Sequence, residues 1–430
     1  MREFIVIQLG TRGTNIGSSF WRQISAEHGI ANNSFVEEHL KHQNGQNWKT
    51  FFHEQAESKI TPRSIVVDLD FNSNDVPFAQ YADHYDYESD FIIHDSRDNT
   101  SGLSDEKMRL IEETILKQME RCDGLGQCLI IRDSAEATSH LLSSTLIDNA
   151  GLSKKYLHDF SISADRCSTD QQLVNTTFSH NFFNSYAPLR FIYQDVAIQR
   201  QVHSKNHQSK VDLNRFVANT LSCFTESDRF NNPRGISLSE MGHMDPYPSI
   251  NYTVPSLATP QHGMPCETDP LSNSLIANAM HNGSLLCDVD FTPGYYLRVH
   301  MFVRGLLSQQ IQTDVRQLKE RKEIRFVSWC PTGFKVGLSD FKYCGDHLAK
   351  EFKIEESSVC AALHNTSAKN IFQLWSSKIA ELKRKNDLRR LLTQNNIDAQ
   401  DFEESFEALN NLILDYTEIE QAEPPEEDNE

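Results

Sequence analysis

Residues 4–24 read Phe4-Ile5-Val6-Ile7-Gln8-Leu9-Gly10-Thr11-Arg12-Gly13-Thr14-Asn15-Ile16-Gly17-Ser18-Ser19-Phe20-Trp21-Arg22-Gln23-Ile24. The apolar, β-branched run Phe4–Ile7 predicts a buried strand. Gly10, Gly13 and Gly17 predict a turn after it, and Phe20, Trp21 and Ile24 the helix that follows. The same order recurs along the first half. Ile65-Val66-Val67 is a second buried strand, ending in Asp68-Leu69-Asp70. Met108, Ile111, Ile115 and Met119 put a helix over 104–121. Cys128–Ile131 is a strand, 137–148 a helix, 160–162 and 191–193 strands, and 211–224 a helix. Residues 28–60 and 72–103 read as polar or irregular stretches. Such repetition argues for an α/β fold with a mostly parallel sheet covered on both faces.

The second half differs. Prolines 233, 246, 248, 255, 260 and 265 predict loops and strand edges over 228–265. Strands are expected at 295–303, 324–329 and 353–362, with a helix at 309–321. Two closing helices carry the core stripes Ile371, Leu374, Trp375, Ile379, Leu382 and Phe402, Phe406, Leu409, Leu412, Ile413, Tyr416. Residues 418–430 hold acids and two prolines but almost nothing apolar, so a disordered acidic tail is expected.

The 430 residues suffice for two to three domains. Lys+Arg of 41 against Asp+Glu of 60 gives 41 − 60 = −19, which offers no footprint for nucleic acid or anionic lipid. No apolar run is long enough to cross a membrane, and Met1–Ile7 lacks a signal segment. The 9 cysteines form no CxxC pair, so a reduced, cytosolic protein without a zinc site or disulfide framework is expected.

A family likeness runs through these blocks. Met1-Arg2-Glu3, Gly10, Ile16-Gly17 and Glu27-His28-Gly29-Ile30 resemble the start of a tubulin. Thr50-Phe51-Phe52, Pro62-Arg63 and Val67–Asp70 resemble α-tubulin in particular. Gly124-Leu125, Phe160-Ser161-Ile162, Arg229-Phe230, Pro246-Tyr247-Pro248 and Arg304-Gly305 follow in family order. The most specific block is Phe326-Val327-Ser328-Trp329-Cys330-Pro331-Thr332-Gly333-Phe334-Lys335-Val336-Gly337. The long stretch from Gly337 to Val359-Cys360, and Glu240 eleven residues after Arg229, resemble the α type rather than the β type. The resemblance implies a nucleotide-binding-type domain over 1–200 with a degenerate phosphate loop. It further implies a core helix and intermediate domain over 201–365, carboxy-terminal helices over 366–416 and the acidic tail over 417–430.

It also implies a site for GTP and Mg²⁺, and in this chain that site is altered. Where tubulins carry a Gly-rich phosphate loop, this chain reads Ala135-Glu136-Ala137-Thr138-Ser139-His140-Leu141, and only Thr138 matches. Asp133 replaces a Ser. If the loop keeps its shape, Glu136 adds a carboxylate near an anion. At about 4 Å and an effective dielectric near 20 that costs roughly 4 kcal/mol, some three decades of affinity. Arg12 reads either as a phosphate ligand or as a solvated surface residue. The third loop aligns with Ile92-Ile93-His94-Asp95-Ser96, and Leu173–Thr177 holds no equivalent of the family's ribose loop. The implied nucleotide contacts are Gly10, Thr11, Asn15, Asp70, Thr138, Thr169, Asp195 and Asn214; Asp68 and Asp70 are the implied metal-side carboxylates. Glu136, His140 and Arg12 are candidates for filling the pocket.

Glu240 resembles the α-subunit Glu that reaches across a filament interface and orients the water attacking a neighbour's GTP. The function implied is a divergent α-type tubulin in the cytoplasmic cytoskeleton. It would pair with β-tubulin and attract microtubule-associated proteins through its tail. The alternative is a non-polymerising pseudo-GTPase regulator or adaptor. A third reading is an active GTPase with a rebuilt loop.

Overall fold

The computed structural model describes residues 3–30, 48–55, 59–68, 89–94, 105–136, 157–184, 187–204, 210–230, 232–243, 250–259, 274–305, 308–321, 324–330, 333–339, 357–394 and 397–422. The first strand, β1 (Glu3–Leu9), leads directly into α1 (Gly10–Glu27). A short hairpin, β2 (Phe52–Glu54) and β3 (Ile60–Pro62), precedes β4 (Ser64–Asp68) and β5 (Ile92–His94). Helix α2 (Asp105–Glu120), β6 (Leu125–Asp133), β7 (Leu157–Ile162), α3 (Asp170–Asn184), β8 (Leu189–Tyr193) and α4 (Asp195–Ser204) follow. Then come α5 (Lys210–Phe224), α6 (Glu226–Arg229), α7 (Leu238–His243), β9 (Tyr252–Ala258) and α8 (Leu275–Ala279). The chain ends with β10 (Tyr296–Arg304), α9 (Ser308–Lys319), β11 (Phe334–Ser339), β12 (Ser358–Asn365), α10 (Lys369–Lys385), α11 (Leu388–Gln394) and α12 (Ala399–Ala422).

Ten strands form one sheet in the order β11-β10-β12-β9-β8-β7-β6-β1-β4-β5. Among the described residues only β12 runs against the others, pairing antiparallel with β9 and β10. The expected mostly parallel α/β sheet is what forms. Alternation along the strands fills both faces. Phe4 and Val6 of β1 join α1, α4 and α5 in one core, whereas Ile5, Ile7 and Leu9 join α2 in another. A third core sets β9, β10 and β12 against α10, α11 and α12.

Several expectations need correction. No separate turn spans Gly10–Gly17. Gly10 alone makes the bend, at φ 71°, and the helix starts there. Gly13 lies against the Ile131 carbonyl, where a Cβ would collide, so α1 lies flat on β6. Segment 324–329 is not a strand; only Phe326 bridges to Tyr296, beside the start of β10. Pro255 sits inside β9 rather than in a loop. It is tolerated because β8 pairs only with Tyr252 and Thr253, so no ladder bond is asked of its missing N–H on that side. Ile92–His94, aligned with a loop, is the edge strand β5 beside β4. The last helix runs to Ala422, into the stretch expected as tail, because Ile419 is buried and Glu420 pairs with Lys369. Residues 423–430, the helix at 137–148 and the Pro246-Tyr247-Pro248 block lie outside the described residues.

A buried group of four charges joins the three parts of the chain. Glu27 closes α1, Glu226 and Arg229 form α6, and Arg304 ends β10. Arg229 Nη2 lies 2.6 Å from Glu27 Oε2, and Arg304 Nη1 3.5 Å from Glu27 Oε1. Arg304 also pairs with Glu226. Ser222 donates to Glu27 at 2.6 Å and its carbonyl accepts from Arg229 and Arg304 at 2.9 Å each. The charges balance, two carboxylates against two guanidiniums, which offsets much of the cost of burying them, although Glu226 Oε1 makes no hydrogen bond among the described residues. Burial alone would push the Glu27 carboxyl up, but Arg229 and Arg304 outweigh it and hold it at about 2. Burial, reinforced by Arg229, pushes the neighbouring His28 imidazole down to about 3.

Removing one member strands the rest. Arg304→Met is expected to cost about 3–5 kcal/mol in urea unfolding, and a cost under about 1 kcal/mol would contradict the account. His28 gives a pH signature. Its folded value is depressed, so its contribution is complete above 6.5 and is lost as pH falls towards about 3. The stability of the native chain relative to His28→Gln should therefore drop by about 1.4 kcal/mol per pH unit within that window. Parallel pH profiles would contradict this.

Candidate nucleotide-type site and the opposite sheet edge

The parallel strands β1, β4, β6, β7 and β8 end along one edge of the sheet, with Leu9 beside Val67 and Arg132, and Ile162 beside Asp133 and Tyr193. Ligands of open parallel sheets bind at such an edge. Gly10, Thr11, Asn15, Asp68, Asp133, Glu136 and Asp195 all stand in or just beyond the turns there.

The centre of this edge is filled by side chains of the chain itself. The Glu136 carboxylate covers Gly10 so closely that a Cβ on Gly10 would collide with it. Its Oε1 accepts from the Arg12 backbone N–H at 3.2 Å, in the first turn of α1. The Arg12 guanidinium reaches the other way and holds Asp195 in a fork, at 2.6 and 3.3 Å. The implied nucleotide contact Asp195 is therefore paired, and Arg12 is a partly buried residue directed at that carboxylate. Thr11 Oγ1 donates to Asp68 at 3.3 Å, so one implied nucleotide residue and one implied metal-side carboxylate meet each other. Asp133 accepts from the Ala135 N–H at 2.8 Å. Burial pushes its carboxyl up to about 6, with Asp195 adding to the rise while the Ala135 N–H, Arg12 and Arg132 oppose it.

Another implied nucleotide contact keeps an open acceptor. Asn214 on α5 has a buried Oδ1 that makes no hydrogen bond among the described residues. Asn15, half-buried on α1, shares that helix with Thr11 and Arg12. Thr169 is employed differently from its implied role. Its Oγ1 accepts from the Gln172 N–H at 3.3 Å, while Gln172 Oε1 accepts from the Thr169 N–H at 2.9 Å. That reciprocal pair is a capping box at the start of α3. Leu173–Thr177 is buried helix within α3, not a ribose loop. Asp70, Thr138 and His140 lie outside the described residues.

Two contributors were missed in the sequence. Asp165 accepts from the Val196 N–H at 3.2 Å, capping α4 beside Asp195. Asn175 donates to the Ala135 carbonyl at 3.0 Å and pins the turn that carries Glu136. The Asp165–Ser168 spacing, with both Cys167 N–H and Ser168 bonded to Asp165, is a local turn signal that could have found the first.

A profile described as "Tubulin/FtsZ family, GTPase domain" matches residues 3–201, and one described as "Tubulin C-terminal domain" matches 268–377. The chain belongs to the tubulin superfamily. Similar proteins include the "Tubulin alpha-3 chain" of Saccharomyces cerevisiae, 28% identical over 97% of this chain and 98% of that one. The "Tubulin alpha-8 chain" of Caenorhabditis elegans is 28% identical over 90% and 87% of the two chains. The "Tubulin alpha chain-like 3" of Mus musculus is 28% identical over 79% and 81%. The chain is thus a divergent tubulin-family structural protein whose GTPase-type domain contains the edge described above.

This tubulin's Glu240 belongs to the other end of the sheet. Ser237 accepts from the Glu240 N–H at 3.2 Å, fixing the start of the short helix α7. Gly242 of the same helix faces His158 and Pro188, at the beginnings of β7 and β8. β7 has 6 residues, so the strand-start and strand-end edges lie roughly 20 Å apart. Glu240 is exposed, and its Oε2 pairs with Lys335 Nζ of β11 at 2.8 Å. The structure brings Gly10, Thr11, Asp68 and Asp195 together at one edge and sets Glu240 apart from them.

The Asp133 environment gives a direct check. Arg12→Ala removes a cation that holds this carboxyl down and releases Asp195, so its midpoint should rise above about 6 in a carboxyl NMR titration. Asp195→Asn should lower it. Unmoved midpoints in both variants would contradict the arrangement.

Proposed function

We propose that this chain is an α-type tubulin that pairs with β-tubulin and enters microtubules as a structural subunit. The observation that carries the reading is the separation of the two edges. The pocket lies at the strand ends and Glu240 at the strand starts, where it is held by Lys335. Head-to-tail stacking joins unlike faces of successive subunits and grows filaments. In such a stack Glu240 meets the pocket of a neighbour, never its own, and orients the water that attacks the GTP held there. Trp329, 46% exposed in the segment beside the start of β10, supports the same edge as an interface.

We infer further that the chain's own GTP and Mg²⁺ site is impaired. The residues around α1 do not fit a polyphosphate, since a carboxylate already faces the N–H groups that would receive it. Asp68 remains a candidate metal-side ligand. The location that goes with this reading is the cytoplasmic cytoskeleton, with microtubule-associated proteins drawn to the acidic carboxy terminus. The Arg12–Asp195 closure also favours a second reading, a non-polymerising pseudo-GTPase adaptor that keeps the fold alone.

The test is co-purification with β-tubulin followed by assembly with Glu240→Ala. The subunit reading predicts an equimolar pair and a lattice in which that variant slows GTP hydrolysis by about 10²–10⁴-fold. Absence of β-tubulin from the purified chain would sink it and leave the adaptor. Unchanged hydrolysis in an assembled lattice would remove Glu240 from the chemistry.

A further inference from the structure

The first turn of a helix presents N–H groups with no partner inside the helix and the positive end of its dipole. In α1 these groups open onto the pocket edge, immediately after Gly10 at φ 71°. The Glu136 carboxylate is seated there. One oxygen covers Gly10, and the other accepts from the Arg12 N–H at 3.2 Å. The turn that carries it is tied on both sides. The Glu136 N–H donates to the Asp133 carbonyl at 3.3 Å, the Ala135 N–H to the Asp133 carboxylate at 2.8 Å, and Asn175 to the Ala135 carbonyl at 3.0 Å. Arg12 thus binds one carboxylate with its backbone and a second, Asp195, with its guanidinium at 2.6 Å. The two contacts lie on either side of one residue and link the first turn of α1 to the Asp133–Glu136 turn and to α4.

We propose that Glu136 is a built-in anion: its carboxylate takes the place at α1 that an external phosphate would take, the Arg12–Asp195 pair closes the space beside it, and the chain keeps its fold without a nucleotide. The proposal rests on the reading that the chain's own site does not hold GTP, and it names the residues responsible. An incoming phosphate must displace a tethered carboxylate or sit beside it against like charge, a penalty of about 10³-fold in affinity. Because the anion is tethered, its local concentration is fixed and does not depend on the nucleotide pool. Glu136 and Arg12 are therefore the specificity-determining residues of the pocket, and they exclude polyphosphates.

The experiment is thermal unfolding of the purified full chain in millimolar Mg-GTP. The wild-type chain should show no shift. The variant Arg12→Ala with Glu136→Gly, shown to be folded by circular dichroism, should gain several degrees from the same ligand by mass action. A shift in the wild-type chain would overturn both the impaired-site reading and the built-in anion. A silent wild type with a folded and equally silent double variant would overturn the built-in anion alone. Should the double variant not fold, Glu136→Ala decides. It should unfold about 2–4 °C below the wild type. Sodium phosphate, compared with chloride at equal ionic strength, should restore that loss while leaving the wild type unmoved. An equal phosphate response in both chains would overturn the proposal.

Discussion

The contact between the Glu136 carboxylate and the first turn of α1 sets what the rest of the pocket can be. A helix start facing a sheet edge is an anion site by construction, and here the anion is covalently part of the chain. Gly10 makes the arrangement feasible, because a side chain at that position would occupy the same space as the carboxylate. Arg12 extends from the same turn to pair with Asp195. The raised Asp133 carboxyl in the same turn follows from burial first, with Asp195 adding to it.

The buried group of Glu27, Glu226, Arg229 and Arg304 holds the parts of the molecule in register. It ties the end of α1 to α6 and to the last residue of β10. On the opposite face, Trp375 of α10 donates to the Ala164 carbonyl at 2.9 Å, one residue before the Asp165 that caps α4. The closing helices thus support the pocket edge from below. Both ties keep the strand-end and strand-start edges at a fixed separation, as a subunit with two unlike faces requires.

Much of this was legible in local patterns. The continuous apolar run Phe4–Ile7 is a buried-strand signal, and the stripes on α2 and on the two closing helices are helical signals, that tertiary packing does not override. The misreadings have physical causes. Gly10–Gly17 read as a turn because glycine marks turns, yet Gly13 serves close packing of a helix on Ile131. Phe326-Val327 read as a strand because both are apolar, although only one bridge forms. Thr169 is an implied nucleotide contact, and Gln172 three residues on also signals the helix cap that it forms. The charge group was not legible at all, since Glu27 and Arg304 are 277 residues apart and nothing local marks either as buried. Glu136 is legible as a misfit against the resemblance and as a side chain to fill the pocket, but its specific partner, the Arg12 N–H of α1, is set by tertiary geometry.

The most direct measurement counts guanine nucleotides released on denaturing the purified complex of this chain with β-tubulin, relative to each subunit. A sealed pocket predicts one nucleotide per pair, held by the partner alone. Two nucleotides per pair would contradict it, because the second would have to occupy the space that Glu136 and Arg12 fill.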